Sequence, residues 1–289
     1  MDNLQAAWLL LLYCAAPRAN YALRTTPPHQ VERYAAEHDR RVLETLLQLL
    51  QLEGAQDEAN LTSRQVQLPQ RYGGLGLRSS RRTAPAAYWA SLGDCLQPLA
   101  RRYPAVATQL LELLEGPREA APPCLAAAQE ATEVLDAAGM QDRPSWQALA
   151  RGVRPREPDP EDTEPGDWQH GWQFEASNAL EQQEHNNLLG ALRGQELAGP
   201  SPGPARLRSC AGRNSSVWLT TCPTSQALRL GNNTLLTALR MRLGEEVPQE
   251  EARCEGCHAQ LDPRGYHRLS CNRTARFHTG GHTVLLLRG

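Results

Sequence analysis

Apolar residues recur at Val31, Tyr34, Ala35, Val42, Leu43, Leu46, Leu47 and Leu50 with the spacing of one helix face. They follow Pro27-Pro28, a pair suited to a first helical turn. The pattern predicts a long amphipathic helix with Gly54 as its stop. An earlier apolar run, Ala6 to Ala16, ends at Pro17. Thr83 and Pro85 open a second predicted helix through Ala86 to Leu92, and others are expected over about 104–115, 123–138, 144–151 and 174–193. From Thr224 to Leu243 a further helix is expected, with Leu228, Leu235, Leu236, Leu239 and Leu243 turned inward.

Between these elements, Leu68-Pro69-Gln70-Arg71-Tyr72-Gly73-Gly74-Leu75-Gly76-Leu77 reads as a loop. Its glycines permit positive φ or a close backbone approach. It is not a dinucleotide fingerprint, which needs a preceding strand and a different glycine spacing. Residues 152–167 hold four prolines and six acids and read as a linker. Gly199 to Pro204 forms a second joint. The chain therefore divides into a helical region 1–151, the linker 152–167, a helical connector 168–250 and a Cys/His-bearing tail 251–289. The expected fold class is mainly α: an irregular helical bundle with a small C-terminal zinc knuckle and two flexible linkers.

Composition agrees with helices. There are 44 Leu and 38 Ala but 9 Val, 2 Phe and no Ile, which argues against a large sheet. All 30 cations are Arg, as a coding bias toward G and C would give, so the choice of Arg over Lys at any one site carries little meaning. The net charge of −2 conceals three blocks. Residues 64–102 carry seven Arg and one acid, residues 103–200 six Arg and 17 acids, and residues 201–289 twelve Arg and six acids. Two basic blocks around an acidic one suit contact with a polyanion at two places, though ordinary solvated faces give the same counts.

The N-terminal apolar run has the wrong polarity for a signal peptide, with Asp2 and no Arg ahead of it, and is too short to span a bilayer. It reads as a buried core helix. A nuclear or cytoplasmic protein that does not enter membranes is expected, and the sequons at Asn60, Asn214, Asn232 and Asn272 then have no use. Cys14, Cys95, Cys124, Cys210 and Cys222 lie scattered among Leu and Ala and read as small core residues.

The sharpest local signal is Cys254-x2-Cys257-x9-His267-x3-Cys271. Three thiols and an imidazole at such spacing are the donor set of a tetrahedral zinc site. Gly256 allows one tight turn to present the first two thiolates, and Asp262-Pro263-Arg264-Gly265 forms a turn between the ligand pairs. With four protein ligands the Zn2+ would be structural. Arg253, Arg264, Arg268, Arg273 and Arg276 surround it, a cationic setting suited to phosphate. No nucleophile motif, zinc-protease helix or phosphate-binding loop occurs. His38-Asp39 could suggest general-base work, but a capped or partly buried surface histidine is the simpler reading.

Several strings, in order, resemble the region that follows the polymerase palm in non-LTR (LINE-like) retroelement polyproteins with a C-terminal zinc knuckle. They are Gln5 to Leu11, Ala16-Pro17-Arg18-Ala19-Asn20-Tyr21, Leu23-Arg24, Pro27-Pro28 and His38-Asp39. The Leu68 to Leu77 loop, Ala87-Tyr88-Trp89-Ala90-Ser91 and Gly171-Trp172-Gln173 follow. Trp218-Leu219, Pro223-Thr224, Leu239-Arg240-x-Arg242-Leu243, Asp262, Gly265-x-His267 and Cys271-x-Arg273-Thr274 complete the series. The resemblance implies thumb-side helices that grip template and primer, and a knuckle that positions DNA, with Cys254, Cys257, His267 and Cys271 as metal ligands. RNA or DNA, and a palm from the same polyprotein, are the partners it implies. On charge, Arg71, Arg78, Arg81 and Arg82 near the glycine loop, with Arg264, Arg268 and Arg273 at the knuckle, are the candidate nucleic-acid contacts. The palm aspartates are missing, Tyr266 stands where an acid is common, and Ala275 where glycine is. The expectation is a nucleic-acid-binding fragment or remnant without polymerase or nuclease activity. A helical adaptor that binds a protein through its zinc site is the rival, and a secreted protein with disulfides a more distant one.

Overall fold

The computed structural model describes residues 3–52, 60–155, 171–198, 203–212, 214–247, 253–254, 256–267, 271 and 273. Gly54, residues 156–167 of the acidic linker, residues 199–202 of the second joint, Arg268 and Arg276 lie outside them. The fold is mainly α, and among the described residues it has one isolated antiparallel bridge, Arg253 to Gln260, and no strand. No helix among them is long and apolar enough to cross a membrane.

Asn3 caps α1 (Leu4–Leu10), accepting the Ala6 amide on its side chain. A π turn (Leu11–Ala15) and a 3-10 turn (Ala16–Ala19) carry the chain into α2 (Asn20–Thr25). Then comes α3 (Pro28–Leu49), with Pro28 at its first position. Its buried stripe, Val31, Ala35, Leu43, Leu46 and Leu47, follows the predicted periodicity, but Tyr34, expected on the same face, is 47 % exposed. Its wet face carries Glu37, which accepts from Arg40 and Arg41.

The short α4 (Leu61–Val66) leads into the glycine loop and then α5 (Ser80–Arg102). This helix begins earlier than Thr83, because Ser79 caps it, and Pro85 lies inside it at the cost of one backbone bond. Around α5 pack α6 (Pro104–Glu115), α7 (Pro123–Ala137), α8 (Trp146–Ala150) and α9 (Trp172–Ala198), sharing a core centred on Trp89 and Trp146.

A second core joins distant parts of the chain. It combines Trp8, Leu11 and Leu12 with the end of α3, with Leu75 and Leu77, and with Leu235, Leu239 and Leu243 of α12 (Asn232–Leu243). Trp8 is 1 % exposed, and its indole N–H donates to Leu219 O at 2.8 Å, in α11 (Val217–Thr220). The first apolar run thus lies in the core, and the described parts of the two predicted helical regions share one interior. Gly203 and Pro204, expected in a joint, are buried in the first turn of α10 (Gly203–Cys210).

Two expectations need correction. The predicted helix from Thr224 begins at Asn232 instead: Arg229 and Gly231 are extended, and Leu228 sits in a 3-10 turn and is 50 % exposed. Glycine inside a helix costs about 1 kcal/mol, so the break falls there. The scattered cysteines are not core residues either. Cys14, Cys95, Cys124 and Cys222 are exposed and Cys210 is half-buried. A small thiol fits either side of a helix, and neighbouring Leu and Ala claim the interior.

His38-Asp39 has a structural role. Asp39, 5 % exposed, reaches from α3 to the start of α5 and accepts the Ser79 hydroxyl at 2.7 Å and the Ser80 and Arg81 amides at 2.8 and 3.1 Å. It satisfies donors that a helix start leaves without intrahelical partners, where negative charge is favoured. Burial pushes its pKa up, but hydrogen bonds from His38, Ser79, Arg81 and Ser80 outweigh this and hold it below the ordinary value. The stabilisation is complete above the unfolded-state pKa of about 3.9 and drains away as pH falls through the folded-state value. Asp39→Asn is expected to cost about 1–3 kcal/mol at pH 7 and to flatten the acid limb of stability against pH. Urea unfolding at pH 7 and pH 3 checks this, and parallel acid limbs for wild type and variant would refute it.

Candidate metal centre and nucleic-acid interface

The sulfur and imidazole donors of Cys254, Cys257, His267 and Cys271 all lie within 4.8 Å of one another. The Cys254 and Cys271 sulfurs are 3.7 Å apart, and Cys257 Sγ is 3.1 Å from His267 Nε2. Donors held at zinc bond lengths, about 2.3 Å for sulfur and 2.0–2.1 Å for nitrogen, stand about 3.5–3.8 Å apart in a tetrahedron. The thiol pair matches that spacing, and the Cys257–His267 pair is slightly closer. The four residues form a group close enough to hold a metal ion and compatible with zinc.

Local chemistry brings them together. The Cys254 amide donates to Ala259 O at 2.9 Å and the His258 amide to Cys254 O at 2.8 Å, closing the turn that presents Cys254 and Cys257. The left-handed residue of that turn is His258, at φ +58°, so its tightness does not rest on a left-handed Gly256. Asp262 then accepts the amides of Arg264 at 3.1 Å, Tyr266 at 3.1 Å and His267 at 2.6 Å. This fixes the turn that carries His267, and the Cys271 amide donates to His267 O at 2.9 Å. Against the Ala259 amide, which lowers it, burial and the thiols of Cys271 and Cys254 hold the Cys257 thiol above its ordinary pKa. Crowded thiols resist ionising together, and a bound dication reverses that penalty. The tail joins the helical body through Val247, whose amide donates to Pro263 O at 2.9 Å.

Neither a family model, nor a curated protein, nor a solved structure matches the chain. Function must therefore be argued from the residues.

Arg264 and Arg273 of the knuckle are exposed, as is Arg253, and none of the three forms an ion pair among the described residues. Arg268 lies outside the described residues. The four candidates near the glycine loop have different surroundings. Arg81 is exposed and paired with Glu32. Arg82 lies 3.1 Å from Glu181, a carboxylate at 0 % exposure on α9, and donates to Gln67 O at 2.9 Å. Burial pushes the Glu181 pKa up against the pull of Arg82, Arg78 and Arg71. Arg71 sits over the Tyr72 and Phe174 rings at 5.0 and 4.9 Å, and donates to Asn178 Oδ1 at 2.7 Å. Arg78 is half-buried beside the loop and forms no hydrogen bond or ion pair among the described residues.

The loop itself is held by a residue that sequence reasoning placed only within a string. Arg242 of α12, 5 % exposed, donates to Gly74 O through Nε at 3.1 Å and Nη2 at 3.0 Å, to Cys210 O at 2.9 Å and to Ser215 O at 3.1 Å. Gln65 donates to Gly73 O and to Arg242 O, both at 3.0 Å. Glycine is required above this anchor. A Cβ at Gly74 would come within 2.0 Å of Leu68 O, and Gly73 has φ +82°.

Proposed function

We propose that this chain is a nucleic-acid-binding protein whose C-terminal tail is ordered by one structural zinc ion. The observation that carries the reading is the Cys254, Cys257, His267, Cys271 group with Arg253, Arg264 and Arg273 exposed and without an ion pair among the described residues. Four protein donors fill a tetrahedral ion's coordination, so its work is to hold backbone. A segment this short has little core of its own, and ligation supplies folding energy that hydrophobic burial there does not. What it orders is a cationic surface of forked donors, and such surfaces bind phosphate. The resemblance of its ordered strings to LINE-like polyproteins supports the same reading and adds a palm-bearing polypeptide as the natural neighbour. The proposal gives the chain grip and assigns it no nucleotidyl transfer or strand cleavage.

Titrating labelled RNA and DNA with the zinc-loaded chain over a range of salt tests this. Affinity is expected to fall linearly on a log–log plot, with a slope of about 0.7 per phosphate neutralised for single strands and about 0.9 for duplex. Removing Arg264 and Arg273 together is expected to lower the slope by one to two such increments. Absence of binding at low salt, or binding indifferent to salt, would overturn the proposal and favour the adaptor reading.

A further inference from the structure

Two adjoining cavities open beside the glycine loop, of about 470 and 140 Å³, with Leu12, Gly76 and Arg78 in their common wall. Among the described residues, neither has an aspartate or glutamate in its lining. The larger is bordered by Tyr13 and Thr220 on one side and by Arg71 on another.

Arg78 is the anomaly there. Its guanidinium is half-buried, and among the described residues no acceptor takes any of its five N–H donors. Burial first, and then the like charges of Arg71 and Arg82, push its pKa down. The carboxylate that offsets them, Glu181, is paired with Arg82. Unlike Arg82 Nε, its donors are not sealed from solvent, so they stand open to an anion that enters the cavity. A planar fork of donors in a wall free of carboxylates fits a phosphate, which accepts two parallel hydrogen bonds from it.

Tyr13 supplies the second element. It is 50 % exposed, and its hydroxyl donates to Thr220 O at 2.9 Å, which fixes the ring at the cavity edge. A large aromatic surface held still beside a phosphate-seeking arginine is the combination on which single strands are bound. The cation takes the backbone and the ring stacks with a base. In a duplex the bases are already stacked on one another and the ring has nothing to take.

We propose that this cavity seats one nucleotide of a single-stranded nucleic acid, its phosphate on Arg78, with Arg71 beside it, and its base against Tyr13. The assignment rests on the nucleic-acid reading above and adds to it a place and a strandedness.

The test uses the full zinc-loaded chain, fluorescence anisotropy with labelled oligothymidylate and with a duplex of the same length, and the variants Arg78→Gln and Tyr13→Leu. Arg118→Gln, which removes an exposed charge on the remote α7 side, serves as the control. Arg78→Gln is expected to weaken single-strand binding about tenfold at low salt and to take about 0.7 from the salt slope. Tyr13→Leu is expected to weaken it by about 5- to 100-fold, the range seen for loss of one stacked base. Duplex affinity is expected to change less than twofold, and Arg118→Gln to leave both affinities in place. On the wild-type chain, a strand carrying 5-iodouracil is expected to crosslink under ultraviolet light to the peptide that contains Tyr13. Crosslinks confined to the knuckle, or single-strand affinity unmoved by both substitutions while wild type still binds, would overturn the seat and leave the wider reading standing. Failure of wild type to bind any strand would overturn both.

Discussion

Cys254→Ser with Cys257→Ser is expected to take the chain from about one zinc per molecule to none, with loss of order in the tail. Structural zinc sites in small peptides contribute roughly 10–16 kcal/mol at neutral pH, as much as the whole net stability of a typical domain. Two ligands gone from four leave His267 and Cys271, a pair that cannot close a tetrahedron. The helical body should survive, because its cores are built from residues of other segments. Metal content by mass spectrometry of the native chain, with circular dichroism for the helices, separates the two effects. A metal-free wild type, or a variant that keeps its zinc, would remove the anchor of the functional proposal. Proton release on zinc binding is expected alongside, since the thiols must ionise to ligate.

The second large effect is expected at Arg242. Arg242→Met keeps much of the side-chain volume and removes the guanidinium donors to the carbonyls of Gly74, Cys210 and Ser215, leaving the Ser215 hydroxyl on Cys210 O and the Trp218 indole on Ser215 O. Hydrogen bonds from a charged donor contribute about 1.5–3 kcal/mol each, and the Gly74 carbonyl left behind is buried. Removing a buried charge does return its own desolvation cost, so the losses do not simply add. The expected net loss is about 3–5 kcal/mol, read as a lower urea midpoint. Arg240→Met is the comparison. Arg240 donates to the Leu50, Gln51 and Glu246 carbonyls at a wetter edge, where water replaces it, and a loss of about 1 kcal/mol is expected. Equal losses at the two positions would show that Arg242 is not the anchor of the glycine loop.

The helices with legible edges were those punctuated by proline. Pro28, Pro104 and Pro123 each stand at the first position of a helix, and the apolar spacing behind them is regular. The four metal ligands were legible for a related reason: all fall within one short stretch, so spacing along the chain stands in for spacing in the fold. What escaped depends on partners far away in sequence. Asp39 caps a helix that begins some 40 residues later, and no local pattern distinguishes it from a surface aspartate. Arg242 sits in an Arg-x-Arg string whose two arginines go to different places, one to the glycine loop and one to the end of α3. Counting charge by block treated Arg78, Arg81 and Arg82 alike. Arg81 and Arg82 have carboxylate partners on α3 and α9, and Arg78 has none among the described residues. Net charge in a window records how many cations there are, not which have partners.

The interlocking of α1 with α12 bears on how the molecule comes off the ribosome. The Leu4 amide bonds to Asn232 Oδ1, 228 positions away, and the leucines behind Trp8 lie against Leu235 and Leu239. At roughly 5–20 residues per second, the apolar start of the chain waits roughly 10–45 s for its lid to be made. Throughout that interval a greasy ridge stands open to holdase chaperones, and any premature stop ahead of residue 232 leaves it open for good.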